Sequence, residues 1–227
     1  MKLPEAIEGL DRGRVVGVLG MPGVGKTEDA AQIVARSNLA VLALDPVGVL
    51  SQKLEGADVY LVHVPRQFNL AATWDWTRDK LYGGEKVVWD LKEWRTAEIQ
   101  KLADAMVPKL KTLRNCVVVV DEVQKITPDF SADMGRGAPD FKDWLTVRRN
   151  QGVSFVWTSQ RPAFVSMTVR GLTDAWLVHR LFYANDREVI KNLLKAQPDV
   201  DVDELESRMQ NFQPGDVAFI DLPFLAG

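Results

Sequence analysis

Eight residues near the amino terminus, Gly20–Thr27, have the types and spacing of a phosphate-binding loop. They read GMPGVGKT, which matches G-x-x-x-x-G-K-[ST] between a predicted strand and a predicted helix. Glycines let the backbone curl with its N–H groups facing a polyphosphate, Lys26 reaches the β- and γ-phosphates, and the Thr27 hydroxyl suits Mg²⁺. The segment therefore predicts binding of ATP and Mg²⁺, with the nucleotide contacts drawn from Gly20, Met21, Pro22, Gly23, Val24, Gly25, Lys26, Thr27 and Glu28.

The second candidate for chemistry is a pair of adjacent carboxylates, Asp121 and Glu122, at the end of NCVVVVDE. The run of valines predicts a buried strand, and successive residues of a strand point to opposite sides, so the two acids can have different roles. We expect Asp121 and Thr27 to hold Mg²⁺, Asp121 through a bound water. We expect Glu122 to polarise the water that attacks the γ-phosphate. An acid in that place favours hydrolysis over transfer to a small acceptor.

A third motif ends the stretch QGVSFVWTSQRP, from Gln151 to Pro162. Its centre is apolar enough for a strand buried on both faces, and it stops on an amide and a guanidinium, Gln160 and Arg161. An amide can donate to a phosphate oxygen and accept from a water. If this strand lies beside the other two, Gln160 faces the γ-phosphate next to Glu122 and senses whether that phosphate is present.

The elements that must position these groups alternate along the chain. Short runs rich in β-branched and aromatic residues predict strands, and longer amphipathic stretches predict helices. Strands are predicted at Arg14–Gly20, Ala40–Pro46, Val59–Pro65, Lys86–Leu91, Cys116–Glu122, Val153–Ser159 and Ala175–Leu181, with a turn and an edge strand at about 213–222. Helices are predicted at Thr27–Arg36, Thr96–Leu113, Asp140–Asn150, Asp186–Ala196 and Val202–Met209.

This alternation predicts an α/β fold with a mostly parallel central sheet covered by helices on both faces. Together with the phosphate loop, it predicts a P-loop NTPase. In such a sheet the ligand lies beyond the carboxyl ends of the strands, so three motif-bearing tips converge there if their strands are neighbours. With 227 residues the chain is long enough for one large α/β domain or two small ones. We expect a single ATPase domain over 1–227, with a short amino-terminal extension over 1–13.

Composition limits the other classes of function. The net charge of -3 excludes a uniformly basic nucleic-acid-binding coat, while a local basic ring or groove stays compatible with it. One cysteine excludes an intrachain disulfide and a cysteine-built zinc site, and the two histidines lie too far apart in sequence to suggest a metal centre. The amino terminus lacks a signal-peptide pattern, and no apolar run approaches the roughly 20 residues of a membrane span. We expect a soluble chain in a reducing compartment.

Three segments carry a resemblance to the FtsK–HerA superfamily of DNA-pumping ATPases. VRRNQGVSFVWTSQRP resembles the third motif of that family, in which a helix ends in an arginine three residues before a glycine and a strand runs into a Thr/Ser-Gln-Arg-Pro tip. Arg149 and Gly152 match that spacing. GMPGVGKT and VVVVDE resemble the first two motifs, and FQPGDVAFID resembles the carboxyl-terminal strand. The resemblance spans roughly 14–221, with a weakly matched middle.

The resemblance implies a RecA/FtsK-like ring, usually a hexamer, with ATP at the interfaces between subunits. It also implies an arginine that reaches the γ-phosphate of the neighbouring subunit. Arg149 is the first candidate for this catalytic role, Arg148 the second, and Arg161 an alternative. Double-stranded DNA would pass through the ring without sequence specificity, its phosphates contacted by basic residues. The candidates for that contact are Arg136 and Lys142 and, as a separate group, Lys109, Lys111 and Arg114.

Within the superfamily the sequence is similar to two kinds of small motor. A bare motor domain of this size looks like the genome-packaging ATPases of tailless, membrane-containing viruses of the tectivirus type. That likeness implies work in the host cytoplasm and at the packaging vertex of the virion, with portal or membrane proteins as partners. The stretch VSFVWTSQRPAFVSMTVRGLTDAWLVHRL also resembles zonular-occludens-toxin-like ATPases that extrude filamentous phages. Those proteins normally continue into a transmembrane helix, which this sequence lacks, so we favour packaging.

Two other classes compete with a DNA motor. A nucleotide or small-metabolite kinase also fits the length and the early phosphate loop, and VPRQF and DMGRGAP could then clamp an acceptor. The acidic pair and Gln160 argue against it. A non-catalytic NTP-binding switch is the other class, and the presence of Lys26, Asp121 and Glu122 argues against lost chemistry. Stimulation by DNA or by a nucleoside monophosphate separates motor from kinase, and Glu122→Gln separates motor from switch.

Overall fold

The structure, a computed structural model, describes residues 6–129, 137–195 and 201–222. Its centre is an eight-stranded sheet. The strands are β1 Val15–Leu19, β2 Ala40–Asp45, β3 Tyr60–His63, β4 Lys86–Asp90, β5 Cys116–Val120, β6 Ser154–Ser159, β7 Ala175–Val178 and β8 Ala218–Asp221. The pairs that connect β1 to β7 are parallel, and β8 runs antiparallel to β7. The predicted α/β fold with a mostly parallel sheet is confirmed.

Helices cover both faces of this sheet. They are α1 Lys26–Arg36, α2 Val49–Lys53, α3 Leu70–Tyr82, α4 Thr96–Leu110, α5 Pro139–Val147, α6 Met167–Gly171, α7 Ala184–Leu194 and α8 Val202–Asn211. Because side chains alternate along a strand, Val16 and Val18 of β1 pack in the core that contains α1 and α2. Val15 and Leu19 pack in the larger core on the other face, with α3, α4, α5, α7 and α8. Burial on both faces explains why the central strands are almost wholly apolar.

The strand order is β3-β4-β2-β5-β6-β1-β7-β8, which places β6 between β1 and β5. The register aligns Leu19 with Ser159 and Val120 with Trp157, so the three strands end at similar heights. The phosphate loop, the acidic pair and the tip of β6 therefore share one edge of the sheet. The condition on which the sequence argument depended, that these strands are neighbours, is met.

Three of the observed helices lie where the sequence analysis assigned no element. They are α2 Val49–Lys53, α3 Leu70–Tyr82 and α6 Met167–Gly171. At the carboxyl terminus a turn between Gln213 and Asp216 precedes β8, which begins at Ala218 and lies at the edge of the sheet. The predicted turn and edge strand are thus found, with the strand itself confined to the later part of the range.

The loop-rich segment that follows the acidic pair is only partly described. Residues 130–136 lie outside the described residues, and with them the candidate DNA contact Arg136. Lys142 lies half-buried in α5. In the three described ranges, no helix is both long enough and apolar enough to cross a bilayer.

Candidate active site

The phosphate loop connects β1 to α1 at the carboxyl edge of the sheet. Gly20 follows β1 and donates its backbone N–H to the carbonyl oxygen of Ser159 at 3.2 Å, which ties the loop to the tip of β6. Gly25 precedes α1 with φ of 115°, a backbone conformation that L side chains rarely adopt. The loop thus leads directly into the amino terminus of α1, where the N–H groups and the helix dipole favour an anion.

The side chain of His179 packs against the phosphate loop at Gly20. A Cβ added to Gly20 would lie 2.8 Å from the Cβ of His179, so only glycine fits against this side chain. The buried imidazole contacts the carboxylate of Asp29 through Nε2 at 2.9 Å and the carbonyl oxygen of Asp216 through Nδ1 at 3.1 Å. Since Asp29 lies in the first turn of α1 and Asp216 precedes β8, His179 links the loop to the carboxyl-terminal segment.

Lys26 and Glu122 form a buried ion pair at the centre of the site. The Lys26 Nζ lies 2.9 Å from Oε1 of Glu122, and the two side chains are only 6% and 5% exposed. The backbone of Glu122 is left-handed, with φ of 51° and ψ of 58°, which is costly for a residue with a Cβ. Backbone strain of this kind persists only where the surroundings enforce it, and it is common at functional sites. Here it turns the side chain toward the phosphate loop.

Asp121 is held at the tip of β5 by a neighbouring strand. The Thr158 hydroxyl donates to Oδ1 of Asp121 at 2.6 Å, and the same hydroxyl accepts the backbone N–H of Glu122 at 2.9 Å. Burial raises the pKa of Asp121 to about 6, against the hydrogen bond from Thr158, which lowers it; the charges of Glu122 and Asp45 raise it further. A buried carboxylate with so few donors is poised to gain a cation.

Gln160 lies directly after β6 and next to the acidic pair. Its backbone N–H donates to Oε2 of Glu122 at 3.2 Å. The strand tip therefore reaches the same glutamate that pairs with Lys26, as the sequence analysis expected from its position. The contact is made by the backbone, which leaves the side-chain amide available for a different partner.

The other predicted nucleotide contacts are spread along the loop and the start of α1. Met21 donates its N–H to the carbonyl oxygen of Arg180, and the Val24 carbonyl accepts from Gly215 at 3.2 Å, so both are anchored to the carboxyl-terminal part of the chain. Pro22 and Gly23 are exposed, and Thr27 is half-buried. Glu28 bonds to Lys53 of α2 at 3.0 Å, and that hydrogen bond lowers its pKa. The Glu28 carboxylate therefore lies on the side of α1 that faces Lys53 of α2.

The arginine candidates Arg148 and Arg149 lie at the opposite, amino edge of the sheet. They precede β6 in the short 3-10 helix Arg148–Gln151. Because β6 has six residues, about 20 Å separates them from the phosphate loop of the same chain. Arg149 is exposed and bonds both carboxylate oxygens of Asp174 at 2.9 and 3.0 Å. Neither arginine can serve the site of its own chain.

The two arginines differ sharply in accessibility. Arg148 is 1% exposed, and its guanidinium donates to the carbonyl oxygens of Leu145 and Gly13. Burial lowers its pKa to about 10. Such a side chain would have to leave the core to reach a neighbour, whereas the Arg149 side chain is 41% exposed. Of the pair, Arg149 is the one whose side chain is accessible to solvent.

Arg161, the alternative candidate, lies at the carboxyl edge next to Gln160. Its Nε donates to Asp186 at 2.8 Å, and its guanidinium stacks between the rings of Phe164 and Tyr183, 4.3 and 4.1 Å from their centroids. Asp186 also accepts the backbone N–H of Ala163. These contacts fix the loop that follows β6 onto α7, so the side chain already has a structural role.

Taken together, the residues at the carboxyl edge fit ATP and Mg²⁺. The amino terminus of α1 offers backbone donors to phosphate, and Lys26 is the adjacent cation. The N–H groups of Gly20 and Met21, which the sequence analysis also expected to face the phosphates, instead donate to the carbonyl oxygens of Ser159 and Arg180. Asp121 and the Thr27 hydroxyl offer the hard oxygen atoms that Mg²⁺ prefers, and the pKa of Asp121 is raised mainly by burial, with the charge of Lys26 acting against the shift.

Sequence reasoning missed several residues that shape this site. They are Thr158, which bridges the two acids, Gln124, which donates to Glu122 at 2.5 Å, and the contact of His179 with Asp29. Gln124 had a detectable signal, because it follows the acidic pair by two residues. The others depend on strand register and tertiary packing, which no local pattern reveals.

Comparison with known proteins identifies the fold. No protein-family model matches the sequence, and no curated protein matches it significantly. Among solved structures, the genome packaging NTPase B204 from Sulfolobus turreted icosahedral virus 2 in complex with ATP-gammaS is 14% identical, with 93% of each chain covered and a TM-score of 0.64. In complex with AMPPCP the same protein is 15% identical, with 94% of this chain and 93% of that chain covered and a TM-score of 0.62.

Two further structures are more distant. ATPases 2 and 3 of EccC from Thermomonospora curvata, in complex with a signal sequence peptide, are 10% identical over 79% of this chain and 31% of that chain, with a TM-score of 0.50. The N-terminal domain of zonular occludens toxin from Neisseria meningitidis is 18% identical over 74% and 76%, with a TM-score of 0.43, too low to carry an argument. The chain has a P-loop NTPase fold, and the resemblance found in the sequence is confirmed at the level of the fold.

Proposed function

We propose that this protein is an ATP-hydrolysing motor of the FtsK–HerA type that moves double-stranded DNA, and that it packages a viral genome into a preformed procapsid. The observation that carries the proposal is the convergence of Lys26, the acidic pair and Gln160 at one edge of the sheet. The likeness of the whole fold to the packaging NTPase B204, over 93% of each chain, supports the choice among P-loop enzymes.

Binding of ATP would rearrange the central ion pair. Lys26 would leave Oε1 of Glu122 for the β- and γ-phosphates, which releases that oxygen to accept a proton from water. Gln160 would contact the γ-phosphate through its amide. Mg²⁺, held by Thr27 and by Asp121 through water, would neutralise charge on the phosphates. Without nucleotide the base is occupied by Lys26, so the site is inactive until substrate arrives.

A neighbouring subunit would complete the site. Because Arg149 lies about a strand length from its own phosphate loop and is exposed, it fits a role in trans against the γ-phosphate of the next subunit. This arrangement requires head-to-tail contact between subunits, which closes into a ring when the rotation allows it, and we propose a hexamer in which each interface contains one ATP. Closing and opening of the interfaces would then pull DNA by its phosphates, without reading sequence.

The proposal extends to the surroundings of the motor. Residues 1–227 would act as one ATPase domain, in the host cytoplasm and at the packaging vertex of the virion, with portal or membrane proteins as partners. Lys109, Lys111 and Arg114 follow one another at the end of α4 and before β5, at the amino edge of the sheet. Together with Lys142 they are the basic residues in the described chain that we propose for DNA contact.

The test measures ATP turnover by the purified protein alone, with linear double-stranded DNA, and with a panel of nucleoside monophosphates. We expect DNA of unrelated sequences to raise turnover equally, and the stimulation to fall steeply with salt because the contacts are to phosphates. Stimulation by a monophosphate with formation of a diphosphate would instead identify a kinase. Turnover that ignores every polynucleotide would contradict the DNA motor.

Glu122→Gln is the control for chemistry. The variant should keep nucleotide binding, since Lys26 then faces a neutral amide, and should lose turnover by roughly 10²–10⁴-fold, the usual contribution of a general base. A protein whose cellular or DNA-linked activity survives this change would be a nucleotide-binding switch and not a motor.

A further inference from the structure

Gln124 contacts the proposed catalytic base and has no role in the mechanism described so far. It lies in the 3-10 helix Val123–Lys125, immediately after the acidic pair, and is 9% exposed. Its Nε2 donates to Oε2 of Glu122 at 2.5 Å. Its Oε1 is buried and has no hydrogen-bond partner among the described residues.

The direction of this amide follows from chemistry. The Lys26 contact at 2.9 Å marks Glu122 as a carboxylate, whose oxygens only accept hydrogen bonds. With the amide turned over, two acceptor oxygens would meet at 2.5 Å and repel each other. Nε2 must therefore face Glu122, and the unpartnered atom is the oxygen. Burying an amide oxygen without a partner is costly, so stability alone would favour an apolar side chain at this position.

The two oxygens of Glu122 have separate partners. Oε1 faces Lys26, and Oε2 accepts from Gln124 and from the backbone N–H of Gln160. When Lys26 moves to the phosphates, Oε1 loses its partner and Oε2 keeps both of its donors. The carboxylate then stays in place, with its free oxygen directed toward the position that Lys26 has left.

We propose that Gln124 is a positioning residue that holds Glu122 in the orientation required to activate water. This inference rests on the ATP-hydrolysing part of the proposed function and does not depend on DNA. Gln124 acts through Glu122 and does not itself touch the nucleotide. Its donor acts on Oε2 while Lys26 is still bound to Oε1, and it would continue to restrain the carboxylate after Lys26 has moved to the phosphates.

The test compares Gln124→Met with a matched control, Gln100→Met. Gln100 is also a buried amide, 7% exposed, and its Nε2 donates to the backbone carbonyl oxygen of Lys125, in the same 3-10 helix as Gln124, and not to a carboxylate oxygen of Glu122. For both variants we would measure thermal unfolding, ATP affinity by fluorescent-nucleotide displacement, and kcat and KM for ATP hydrolysis. We expect Gln124→Met to lower kcat about tenfold or more, with ATP affinity within about twofold of wild type. Gln100→Met should leave kcat within about twofold.

Gln124→Glu adds a readout that a purely structural role would not move. A second carboxylate against Glu122 stabilises a shared proton, so the acid limb of the kcat profile should move to higher pH. Lys26 and Asp121, the other charged groups near Glu122, are the same in both proteins. A Gln124→Met enzyme with wild-type kcat, or equal losses in Gln124→Met and Gln100→Met with an unmoved pH profile for Gln124→Glu, would overturn the inference.

The outcomes for the wild-type protein keep the two proposals distinguishable. Hydrolysis that ignores DNA would refute the DNA motor and leave the role of Gln124 to be decided by its variants. Binding of ATP with no hydrolysis would refute both, because no base would then exist to be positioned. Stimulation by DNA with unaltered Gln124→Met kinetics would refute only the positioning role.

Discussion

The two edges of the sheet each present an ion pair of the same length in opposite surroundings. At the carboxyl edge, Lys26 and Glu122 meet at 2.9 Å with side chains 6% and 5% exposed. At the amino edge, Arg149 and Asp174 meet at 2.9 Å with side chains 41% and 16% exposed. A buried pair leaves an uncompensated charge when one partner is lost, whereas an exposed pair is screened by water and contributes little.

Because the two ion pairs differ in burial, they should open under different conditions. The buried pair can open only when something else compensates Lys26, and a polyphosphate entering the loop does so. The exposed pair can open toward solvent or toward another subunit, at small cost. The comparison suggests that the first pair responds to nucleotide and the second to a neighbour, which three experiments can test.

The largest effect is expected from Lys26→Met. Without nucleotide, the change leaves Glu122 buried and unpaired, and we expect the free energy of unfolding to fall by about 3–5 kcal/mol. ATP binding and hydrolysis should be lost with it. The measurement is urea denaturation of the nucleotide-free protein at neutral pH, followed by nucleotide displacement.

The double variant Lys26→Met with Glu122→Gln is the control. It removes both charges, so most of the lost stability should return while activity stays absent. If the single and double variants unfold at the same urea concentration, the pair is not the buried contact that the structure describes.

An effect of intermediate size should come from Asp121, which also lies at the buried edge. Its pKa is raised from 3.8 to about 6, mainly by burial. Between these values the folded protein holds a proton that the unfolded chain has released, so stability falls as pH rises through this window. From this group alone, the free energy of unfolding should be about 3 kcal/mol lower above pH 6 than below pH 4.

Asp121→Asn isolates this contribution. The asparagine oxygen can still accept from Thr158, but the side chain never ionises. Measured without Mg²⁺ or nucleotide, the variant should gain on the wild type as pH rises from 4 to 7, although it should hydrolyse no ATP. A constant difference between the two urea curves across that range would contradict the assignment. The expected result, more stability with no hydrolysis, would show that stability and chemistry oppose each other at this carboxylate.

The contrast between the edges also explains what could be read from the sequence. The three motifs at the strand ends and the order of helices and strands could be predicted, because glycine spacing, valine runs and carboxylates at strand ends are local signals in the sequence. Helix α3 was not, since its buried face is a narrow stripe of Trp74, Thr77 and Leu81 among exposed neighbours such as Trp76 and Tyr82. Contacts such as Thr158 with Asp121 depend on which strands pair, and in what register.

The smallest effect on stability should come from the amino edge, and it would be the most informative about assembly. Arg149→Ala removes a partly exposed ion pair, so we expect the free energy of unfolding to fall by less than about 1 kcal/mol. Arg12→Ala, a change of an arginine with an 80% exposed side chain near the same edge, is the matched control. Turnover should nevertheless fall strongly for Arg149→Ala and stay near wild type for Arg12→Ala.

Mixing decides whether that loss arises between subunits. A Lys26→Met chain keeps Arg149, and an Arg149→Ala chain keeps an intact phosphate loop, so half of the mixed interfaces combine one working part from each. ATP turnover should therefore reappear when the two inactive proteins are mixed, and should peak near equal amounts. No activity at any ratio, in mixed rings shown to form by light scattering, would place the function of Arg149 within its own chain. That outcome would contradict its distance from the phosphate loop of the same subunit, because a six-residue strand lies between them.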